Sequence, residues 1–352
     1  MKRIGKNVFV RLFVLVLLTV SLSACANPTQ QKEQSESEAW PGSAQTNVLI
    51  GRGINLGNAL EAPNEGDWGV VLQESYFREI KKAGFQSVRI PIRWSAHAQS
   101  VSPYTIDPRF FDRVDWAVNQ ALRNDLTAII NVHHYEALYQ NPQQEKERFL
   151  ALWRQIASHF QKFPSRLLFE ILNEPHGQLN AQLWNVLADT ALKVIRRSNA
   201  HRVVIIGTAN WGGLSSLDDL QLPDDSLLIF TFHYYEPFHF THQGAEWVEG
   251  SDAWLGTTWE GSAAEKQTIR SAFDRVQTWA ERHHIPVFLG EFGAYGKADM
   301  DSRVRWTSFV AREAERRGFS WAYWEFCSGF GAYDPNTNQW RPELLHALIP
   351  EN

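Results

Sequence analysis

Two glutamates, Glu174 and Glu291, each follow a short apolar run and have the residue type for proton transfer or nucleophilic attack. Residues 167–176 read LLFEILNEPH, so the apolar run stops at the sequence NEP. A short apolar run that ends at a turn signal is typical of a buried strand in a parallel sheet. Pro175 is expected to give Glu174 an extended backbone and to end the ladder. Residues 286–293 read PVFLGEFG, which puts Glu291 in a glycine-flanked turn after another strand.

Two carboxyl groups at the ends of two strands can act on one substrate in different protonation states. A protonated carboxyl donates to a leaving oxygen, while an ionised one attacks a carbon centre. Hydrolysis of a glycosidic bond needs this pair, with the anomeric carbon as the site of attack. Either glutamate alone is also compatible with an ordinary ion pair at a strand end. The combination of NEP with GEFG favours the catalytic interpretation.

The elements that must position these side chains alternate regularly between strand and helix. Apolar runs ending in polar or glycine residues predict strands at 50–55, 85–91, 127–133, 167–173, 203–207, 227–233, 286–291 and 320–325. Helical periodicity predicts helices at 76–83, 110–124, 145–160, 181–199, 265–283 and 303–317. The helix at 212–222 would be short. Eight strand–helix units predict an α/β fold, a single (β/α)8 TIM barrel.

The residues that follow the predicted strands share the carboxyl-terminal rim, where barrel enzymes carry their catalytic groups. They form a polar, aromatic and acidic ring: Asn58, Glu61, Arg89, His133, His134, Asn173, Trp211, His233, Tyr235, Trp324 and Glu325. Tryptophan rings suit the flat apolar faces of sugars, and Trp247, Trp254 and Trp259 lie in the long connection after Tyr235. We expect the tryptophans on helical faces to be core residues: Trp153, Trp184, Trp279 and Trp306.

The histidines, the cysteine and the serine motifs do not favour metal, thiol or esterase chemistry. His133, His134, His233, His239 and His242 invite a zinc site, but adjacent strand residues point to opposite faces and no H-E-x-x-H motif occurs. We therefore predict no metal and no cofactor. Cys327 is expected to be a buried thiol rather than a nucleophile, because no oriented histidine partner is evident. The absence of a G-x-S-x-G sequence disfavours an esterase.

The amino-terminal segment has the composition of a targeting sequence. Residues 1–24 join basic residues to an apolar run that is too short for a membrane span. The sequence LSAC at its end resembles a bacterial lipobox, which predicts lipid attachment at Cys25; an ordinary secretory signal is the alternative. Residues 25–45 are polar and predict a flexible tether, which leaves residues 46–352 as the catalytic domain. We expect an exported, membrane-anchored lipoprotein at the outer membrane or cell surface, with a periplasm-facing position as one option.

The charge of the chain excludes one class of partner. Removal of residues 1–24 takes away four basic residues and no acidic one, so the net charge moves from −5 to about −9. A strongly acidic protein is a poor ligand for nucleic acid, which is held mainly through lysine and arginine. We predict a monomer that binds a β-linked polysaccharide and no nucleic acid.

Eight motifs between about residue 51 and residue 348 resemble glycoside hydrolase family 5, a retaining cellulase family with catalytic glutamates on barrel strands four and seven. The motifs are GRGINLGNALEAPNEGDWG, VRIPIRW, NVHHY, FEILNEPHG, FHYYEPF, THQGAEWVEGS, GEFGAYGKAD and WAYWEFCSGFG. More narrowly, they look like the bacterial branch that contains bifunctional endoglucanase/mannanases. The resemblance implies the barrel fold already predicted.

The resemblance also implies roles for the rim residues. Glu174 would be the acid/base and Glu291 the nucleophile, with carboxyls roughly 5–5.5 Å apart. Asn173 would bind the sugar 2-hydroxyl, Arg89 and Tyr235 would keep Glu291 ionised, and His233 would tune the pKa of Glu174. These four and Trp211 are predicted substrate-site residues. The others would line the glycone side: Asn58, Glu61, His133, His134, His242, Trp247, Trp324 and Glu325.

The activity implied is endo-acting, retaining hydrolysis of β-1,4-glucan in cellulose or mixed-linkage glucan, with β-mannan or glucomannan as a further substrate. Two alternatives remain open at this point. One is a non-catalytic, glycan-binding surface lipoprotein on a barrel scaffold. The other is a metal-dependent barrel hydrolase.

Overall fold

The fold is known from a computed structural model that describes residues 40–350. The predicted targeting segment 1–24 and Cys25 lie outside the described residues. Helix α1, Ser43–Ile50, begins within the predicted tether, so the predicted domain start at residue 46 falls inside this helix. Among the described residues, no helix combines the length and the apolar character that crossing a membrane requires.

Eight parallel strands form a closed barrel in chain order, which confirms the predicted fold. The strands are β1 Arg52–Asn55, β2 Ser87–Ile90, β3 Thr127–Asn131, β4 Leu167–Glu170, β5 Val204–Gly207, β6 Leu228–His233, β7 Val287–Phe292 and β8 Ser320–Tyr323. Closure comes from β1, which pairs with β2 on one side and with β8 on the other. Every residue of seven of these strands is buried, as expected for a sheet that helices cover.

The helices surround the barrel and follow the predicted periodicity closely. They are α2 Glu74–Lys82, α3 Pro108–Arg123, α4 Glu136–Gln140, α5 Pro142–His159, α6 Ala181–Arg196, α7 Phe238–Thr241, α8 Ala263–His283, α9 Met300–Arg316 and α10 Pro342–Leu348. After β5 there is only the 3₁₀ segment Leu214–Asp219, which agrees with the short helix predicted there. Strands β9 Tyr333–Asp334 and β10 Gln339–Trp340 form a small hairpin before α10.

Local sequence signals explain where the longer helices begin. The Asp107 side chain accepts a hydrogen bond from Arg109 N, and Pro108 occupies the first turn of α3. Ser262 and Glu265 form a reciprocal capping box at the start of α8. Such caps satisfy backbone N–H groups that have no partner inside the helix.

The core has two layers that meet at the sheet. Inside the barrel, an inner cluster is formed by Ile50, Ile129, Leu168, Val203, Ile205, Ile229, Phe288 and Ala322. The outer layer, between sheet and helices, contains the four helix tryptophans predicted as core: Trp153, Trp184, Trp279 and Trp306, none more than 2% exposed. Full burial of a large side chain contributes about 1.5–3 kcal/mol relative to exposure.

Helix α1 closes the amino-terminal end of the barrel. Ser43 Oγ donates to Ser226 O, just before β6, and Ser320 Oγ at the start of β8 donates to Asn47 Oδ1 at 2.6 Å. Thr127 Oγ1 at the start of β3 donates to Leu49 O. Since all these partners lie at the beginnings of strands, α1 covers the end opposite to the rim.

Candidate active site

Glu174 and Glu291 come together at the carboxyl-terminal rim. Three atoms lie within 4.8 Å of one another: one carboxylate oxygen of Glu174, one of Glu291 and a ring nitrogen of His233. This upper bound on the distance between two oxygens is compatible with the spacing of roughly 5–5.5 Å between the carboxyl groups of retaining glycosidases.

The backbone at Glu174 corrects one expectation. Strand β4 ends at Glu170, and Glu174 has φ 45°, in the left-handed region rather than in the extended region. A residue before proline prefers extended backbone, and the local structure overrides that preference at Glu174. Left-handed backbone is costly for a residue with a Cβ, and such strain concentrates at functional sites.

A glycine brings Glu291 into line with His233. The β6–β7 register shifts between Phe232 and His233, so that His233 pairs with Glu291. A Cβ at Gly290 would lie 2.7 Å from Thr231 Oγ1 and 3.1 Å from His233 Nε2. Position 290 therefore requires glycine for this close approach.

Arg89 has no exposed surface and binds side chains near the ends of both β4 and β7. Its Nη1 donates to Glu291 Oε1 at 2.7 Å, and its Nη2 donates to Asn173 Oδ1 at 2.7 Å. Direct contact of Arg89 with substrate stays a prediction. Its contacts fit the other predicted role, that of holding Glu291 ionised.

Glu170 is a site residue that the sequence reasoning missed. It is 1% exposed and binds Arg89 in a bidentate manner, at 2.6 Å to Nε and 2.8 Å to Nη2. The signal was present, since Glu170 is a charged residue within an otherwise apolar strand and must have a buried partner. Asn55 also binds this guanidinium: its Oδ1 accepts a hydrogen bond from Arg89 Nη1 at 2.9 Å.

The two catalytic candidates differ in their electrostatic surroundings. Burial alone would raise the pKa of Glu291, but the charges of His233 and Arg89 outweigh it, together with hydrogen bonds from Tyr235 and Arg89. The Tyr235 hydroxyl donates to Glu291 Oε2 at 2.9 Å. The pKa of Glu291 therefore lies below its usual value, which keeps this carboxylate ionised.

Glu174 is shifted in the opposite direction. Burial raises the pKa of Glu174, and the negative charge of Glu291 adds to this, although the contact with His233 opposes it. His233 Nδ1 lies 2.7 Å from Glu174 Oε1. A pair of carboxyls with pKa values displaced in opposite directions is the arrangement that assigns acid and base roles.

Asn173, His133 and His134 line the cleft beside this pair. Asn173 is 3% exposed, and its Oδ1 accepts a hydrogen bond from Arg89 Nη2. His133 and His134 lie beyond the end of β3 at Asn131, so the alternation of strand side chains does not apply to them. Their rings contact edge to face at 4.7 Å, which corrects the expectation that they point to opposite faces.

Two predicted substrate contacts, Glu61 and Glu325, are buried and bind loop backbone; their contact with substrate stays a prediction. Glu61 accepts backbone hydrogen bonds from Asn58 and Ala59, in the loop after β1. Glu325 accepts them from Cys327, Ser328 and Phe330. Both carboxyls hold rim loops in shape, and burial raises the pKa of Glu61 to about 8 and that of Glu325 to about 7.

Asn58 and Trp324 lie next to these loop anchors. Asn58 is partly exposed and has a left-handed backbone at φ 63°. A Cβ at Gly57 would lie 3.0 Å from the Trp324 ring, so the loop after β1 packs directly on this tryptophan. The Trp324 ring lies parallel to that of His133, with an interplanar angle of 5°.

Trp247 and His242 belong to an aromatic cluster on the other side of Glu291. The Trp247 ring is 60% exposed and contacts Tyr295 edge to face at 4.9 Å. His242 contacts Tyr235 at 4.9 Å and stacks on Phe238 at 4.1 Å. Burial lowers the pKa of His242 to about 4, so its ring is neutral near pH 7.

Trp211 lies in the loop that follows β5. It is 57% exposed and stacks on His176 at 3.5 Å, with positive φ at Asn210, Trp211 and Gly212. His176 was missed by the sequence reasoning. A Cβ at Gly212 would lie 3.6 Å from Glu174 Cγ, which places this loop against the acid/base candidate.

The other aromatic and thiol predictions have mixed outcomes. Trp254 is partly exposed and stacks on His239 at 4.2 Å. Trp259 is 1% exposed and therefore lies in the core, which contradicts its prediction as a sugar-stacking ring. Cys327 is a buried thiol, as predicted, and burial raises its pKa above the usual value.

The surroundings of the cluster formed by Glu174, His233 and Glu291 disfavour a metal ion. Three donor atoms within 4.8 Å could approach one cation. The Arg89 guanidinium already occupies one oxygen of Glu291 at 2.7 Å, and its positive charge opposes a second cation there. The cluster is arranged for proton transfer between neighbours rather than for a metal.

Comparisons with known proteins agree with this site. A family profile described as cellulase (glycosyl hydrolase family 5) matches residues 49–329. Cel5A of Thermotoga maritima, solved with mannotriose and with cellobiose, is 55% identical; the TM-score is 0.86, with 87% of this chain and 100% of that chain covered.

Endoglucanase H of Acetivibrio thermocellus is 39% identical over 306 residues, which are 85% of this chain but 33% of that protein. Endoglucanase B of Clostridium cellulovorans is 30% identical, with 84% of this chain and 73% of that protein covered. The profile match extends over most of the chain and includes both glutamates of the site. The chain belongs to the cellulase family, glycosyl hydrolase family 5.

Proposed function

We propose that this protein is an endo-acting, retaining glycoside hydrolase that cleaves β-1,4-linked glucan, with β-mannan or glucomannan as a further substrate. The observation that carries the proposal is the opposite tuning of two close carboxyls. Burial raises the pKa of Glu174, and the charges of His233 and Arg89, with the hydrogen bond from Tyr235, lower the pKa of Glu291. The names of the relatives, endoglucanases and a Cel5A solved with cellobiose and mannotriose, support the choice of polymer.

In the first step, the carboxylate of Glu291 attacks the anomeric carbon while the glycosidic C–O bond breaks. The proton of Glu174 passes to the leaving oxygen, so the departing sugar chain leaves as a neutral alcohol. The negative charge of Glu291 is consumed in the new ester bond. The pKa of Glu174 then falls, since that charge was one of the causes that raised it.

In the second step, the Glu174 carboxylate accepts a proton from water, and the resulting hydroxide equivalent displaces Glu291 from the anomeric carbon. Two inversions give net retention. Asn173 Nδ2, beside the pair, suits a hydrogen bond to a sugar hydroxyl. Arg89 and Tyr235 release and then recover their charge interaction with Glu291 during the cycle.

The experiment measures reducing-sugar release by the full chain from mixed-linkage β-glucan, carboxymethyl cellulose and glucomannan. We expect release that Glu291→Ala abolishes and that Glu174→Ala lowers by roughly 10²–10⁴-fold. Proton NMR of the first product should show the retained anomer; inversion would overturn the double-displacement mechanism. Release that a chelator abolishes would favour the metal-dependent alternative. No release by folded protein would favour a glycan-binding role.

We propose further that the enzyme is exported and anchored through a lipid-modified Cys25. The support is the sequence alone: basic residues, a short apolar run and LSAC. Mass spectrometry of the protein from its native membrane should find a lipid-modified cysteine at the mature amino terminus. An unmodified terminus after Ala24 or Ala26 would favour ordinary secretion.

A further inference from the structure

Trp68 is an exposed tryptophan at the cleft that belongs to no predicted set of site residues. Four tryptophans in the described part of the chain are 37–60% exposed: Trp40, Trp68, Trp211 and Trp247. Trp211 and Trp247 are predicted substrate residues, and Trp40 lies next to α1, at the far end of the barrel. Trp68, at 39% exposure, is the third exposed tryptophan on the rim side.

A row of ring contacts joins Trp68 to the centre of the cleft. The backbone N–H of Trp324 donates to the backbone oxygen of Phe292, the residue after Glu291, at 2.8 Å. From Trp324 the contacts run to His133 at 5.8 Å, from His133 to His134 at 4.7 Å, and from His134 to Trp68 at 5.5 Å. The last contact is edge to face at 72°, so Trp68 continues the row without covering His134 face to face.

The loop that carries Trp68 is braced at its base. Glu65 accepts hydrogen bonds from Arg113 Nε and Nη2, both at 2.7 Å, and from Leu72 N at 2.8 Å. Arg113 Nη2 also donates to Leu72 O at 2.8 Å. A bidentate arginine–carboxylate pair fixes geometry as well as charge. The loop is therefore anchored on helix α3.

The tip of the loop is also ordered by its own hydrogen bonds. Asp67 Oδ2 accepts from Asn64 N at 3.0 Å and from Asn64 Nδ2 at 3.1 Å. Gly69 N donates to Gly66 O at 2.9 Å, which closes a turn around Trp68. Neither the brace nor the turn buries the indole. The loop holds this ring exposed at the edge of the cleft, which is what a binding platform requires and a core residue does not.

We propose that Trp68 is a stacking platform for one sugar unit of the polysaccharide, beyond the units bound next to Glu174 and Glu291. The inference rests on the proposed function for its ligand class. An indole offers a large, rigid apolar face at low entropic cost, and a pyranose offers a matching apolar face. The platform would extend the binding site along the row Trp324, His133, His134 and Trp68, toward the loop after β1.

The alternative is that Trp68 only supports His134 through the edge-to-face contact. The two roles predict different dependence on substrate length. A supporting role acts on the centre of the cleft and changes hydrolysis of every substrate. A platform at the end of the row acts only on substrates long enough to reach it.

The experiment compares kcat/KM for a ladder of cello-oligosaccharides, from cellotriose to cellohexaose, in the full chain and three variants. The variants are Trp68→Ala, Trp68→Phe and Val71→Ala; Val71 is 52% exposed on the same loop and serves as the matched control. We expect Trp68→Ala to lower kcat/KM by roughly three- to tenfold for the longer members only, through KM. Trp68→Phe should recover part of the loss, and Val71→Ala should behave as the unsubstituted chain.

An equal loss at every length, or no loss at any length, would overturn the platform. Binding of the same ladder to Glu291→Ala, with and without Trp68→Ala, is measured by calorimetry as a readout that needs no turnover. A length-dependent loss of affinity there supports the platform even if the unsubstituted chain hydrolyses none of the oligosaccharides. Failure of the unsubstituted chain to hydrolyse any of the oligosaccharides would count against the proposed activity and not against the platform.

Discussion

Glu170 and Glu291 bind the same guanidinium, that of Arg89, from two sides. Glu170 takes Nε and Nη2, and Glu291 takes Nη1 at 2.7 Å. One buried cation thus faces two buried carboxylates. The positive charge that lowers the pKa of Glu291 is shared, so Glu291 remains more basic and more nucleophilic than it would be in an exclusive pair with Arg89.

We expect Glu170→Gln to leave Arg89 to Glu291 alone and so to lower the pKa of Glu291 further. The acid limb of the pH profile of kcat/KM should move to lower pH, because Glu291 stays ionised further into the acid range. We expect kcat to fall by about tenfold, since a less basic carboxylate is a weaker nucleophile.

The matched control is Glu313→Gln, which changes a buried carboxylate of α9 that is bonded to Arg316 and Arg317. Both variants lose stability through a buried ion pair, and only the Glu170 variant should move the acid limb. An unmoved limb would mean that Glu170 acts on stability alone.

His233→Asn should shift the alkaline limb. The hydrogen bond and the charge of His233 lower the pKa of Glu174 against the larger effect of burial. Without the imidazole, Glu174 should keep its proton to higher pH, so the fall in activity on the alkaline side should begin at higher pH. His159→Asn, at a ring bonded to Asp115 outside the barrel, is the control. A shift toward lower pH would contradict the assignment of Glu174 as the acid.

Glu61→Gln should flatten the pH dependence of stability. The pKa of Glu61 is raised to about 8 in the folded chain, from 4.5. A carboxyl with a raised folded pKa contributes most below its unfolded pKa, and the contribution is lost as pH rises through the folded value. The Tm of the unsubstituted protein should therefore decline between about pH 4.5 and pH 8, and Glu61→Gln should reduce this decline. If Tm depends on pH in the same way in both proteins, the result would count against a raised pKa of Glu61.

Gly57→Ala should weaken substrate binding through Trp324. The new Cβ would lie 3.0 Å from Cη2 and Cζ2 of that ring, so the indole must move by a few tenths of an ångström. We expect KM to rise by roughly three- to tenfold with a smaller change in kcat, because the catalytic pair is not displaced. Gly42→Ala, where a Cβ meets only Gln45 Oε1 at 3.9 Å, is the control. Equal kinetics for both variants would argue against a role for Trp324 in binding.

The sequence predicted the barrel well because each buried strand leaves a continuous apolar run, and each helix leaves a periodic one. Glu174 and Glu291 were found because a carboxylate at the end of such a run is conspicuous. The exposure of rim residues was harder to predict. Glu61 and Glu325 look like substrate ligands in the sequence, yet they accept hydrogen bonds from loop N–H groups that no local pattern announces.

Glu170 and Trp68 show two further limits. The partner of Glu170 is 81 residues away, so its role follows only from the barrel fold, which brings Arg89 of β2 to Glu170 of β4. Trp68 lies in a motif that carries the family resemblance, but its exposure depends on the brace from Glu65 to Arg113 across 48 residues. Contacts of this kind are set by tertiary structure.

Helix α1 gives the two ends of the barrel different surroundings. Its contacts with the beginnings of β3 and β8 put it at the end of the barrel opposite to Glu174 and Glu291. A polymer can therefore approach the catalytic pair at the rim without meeting this helix.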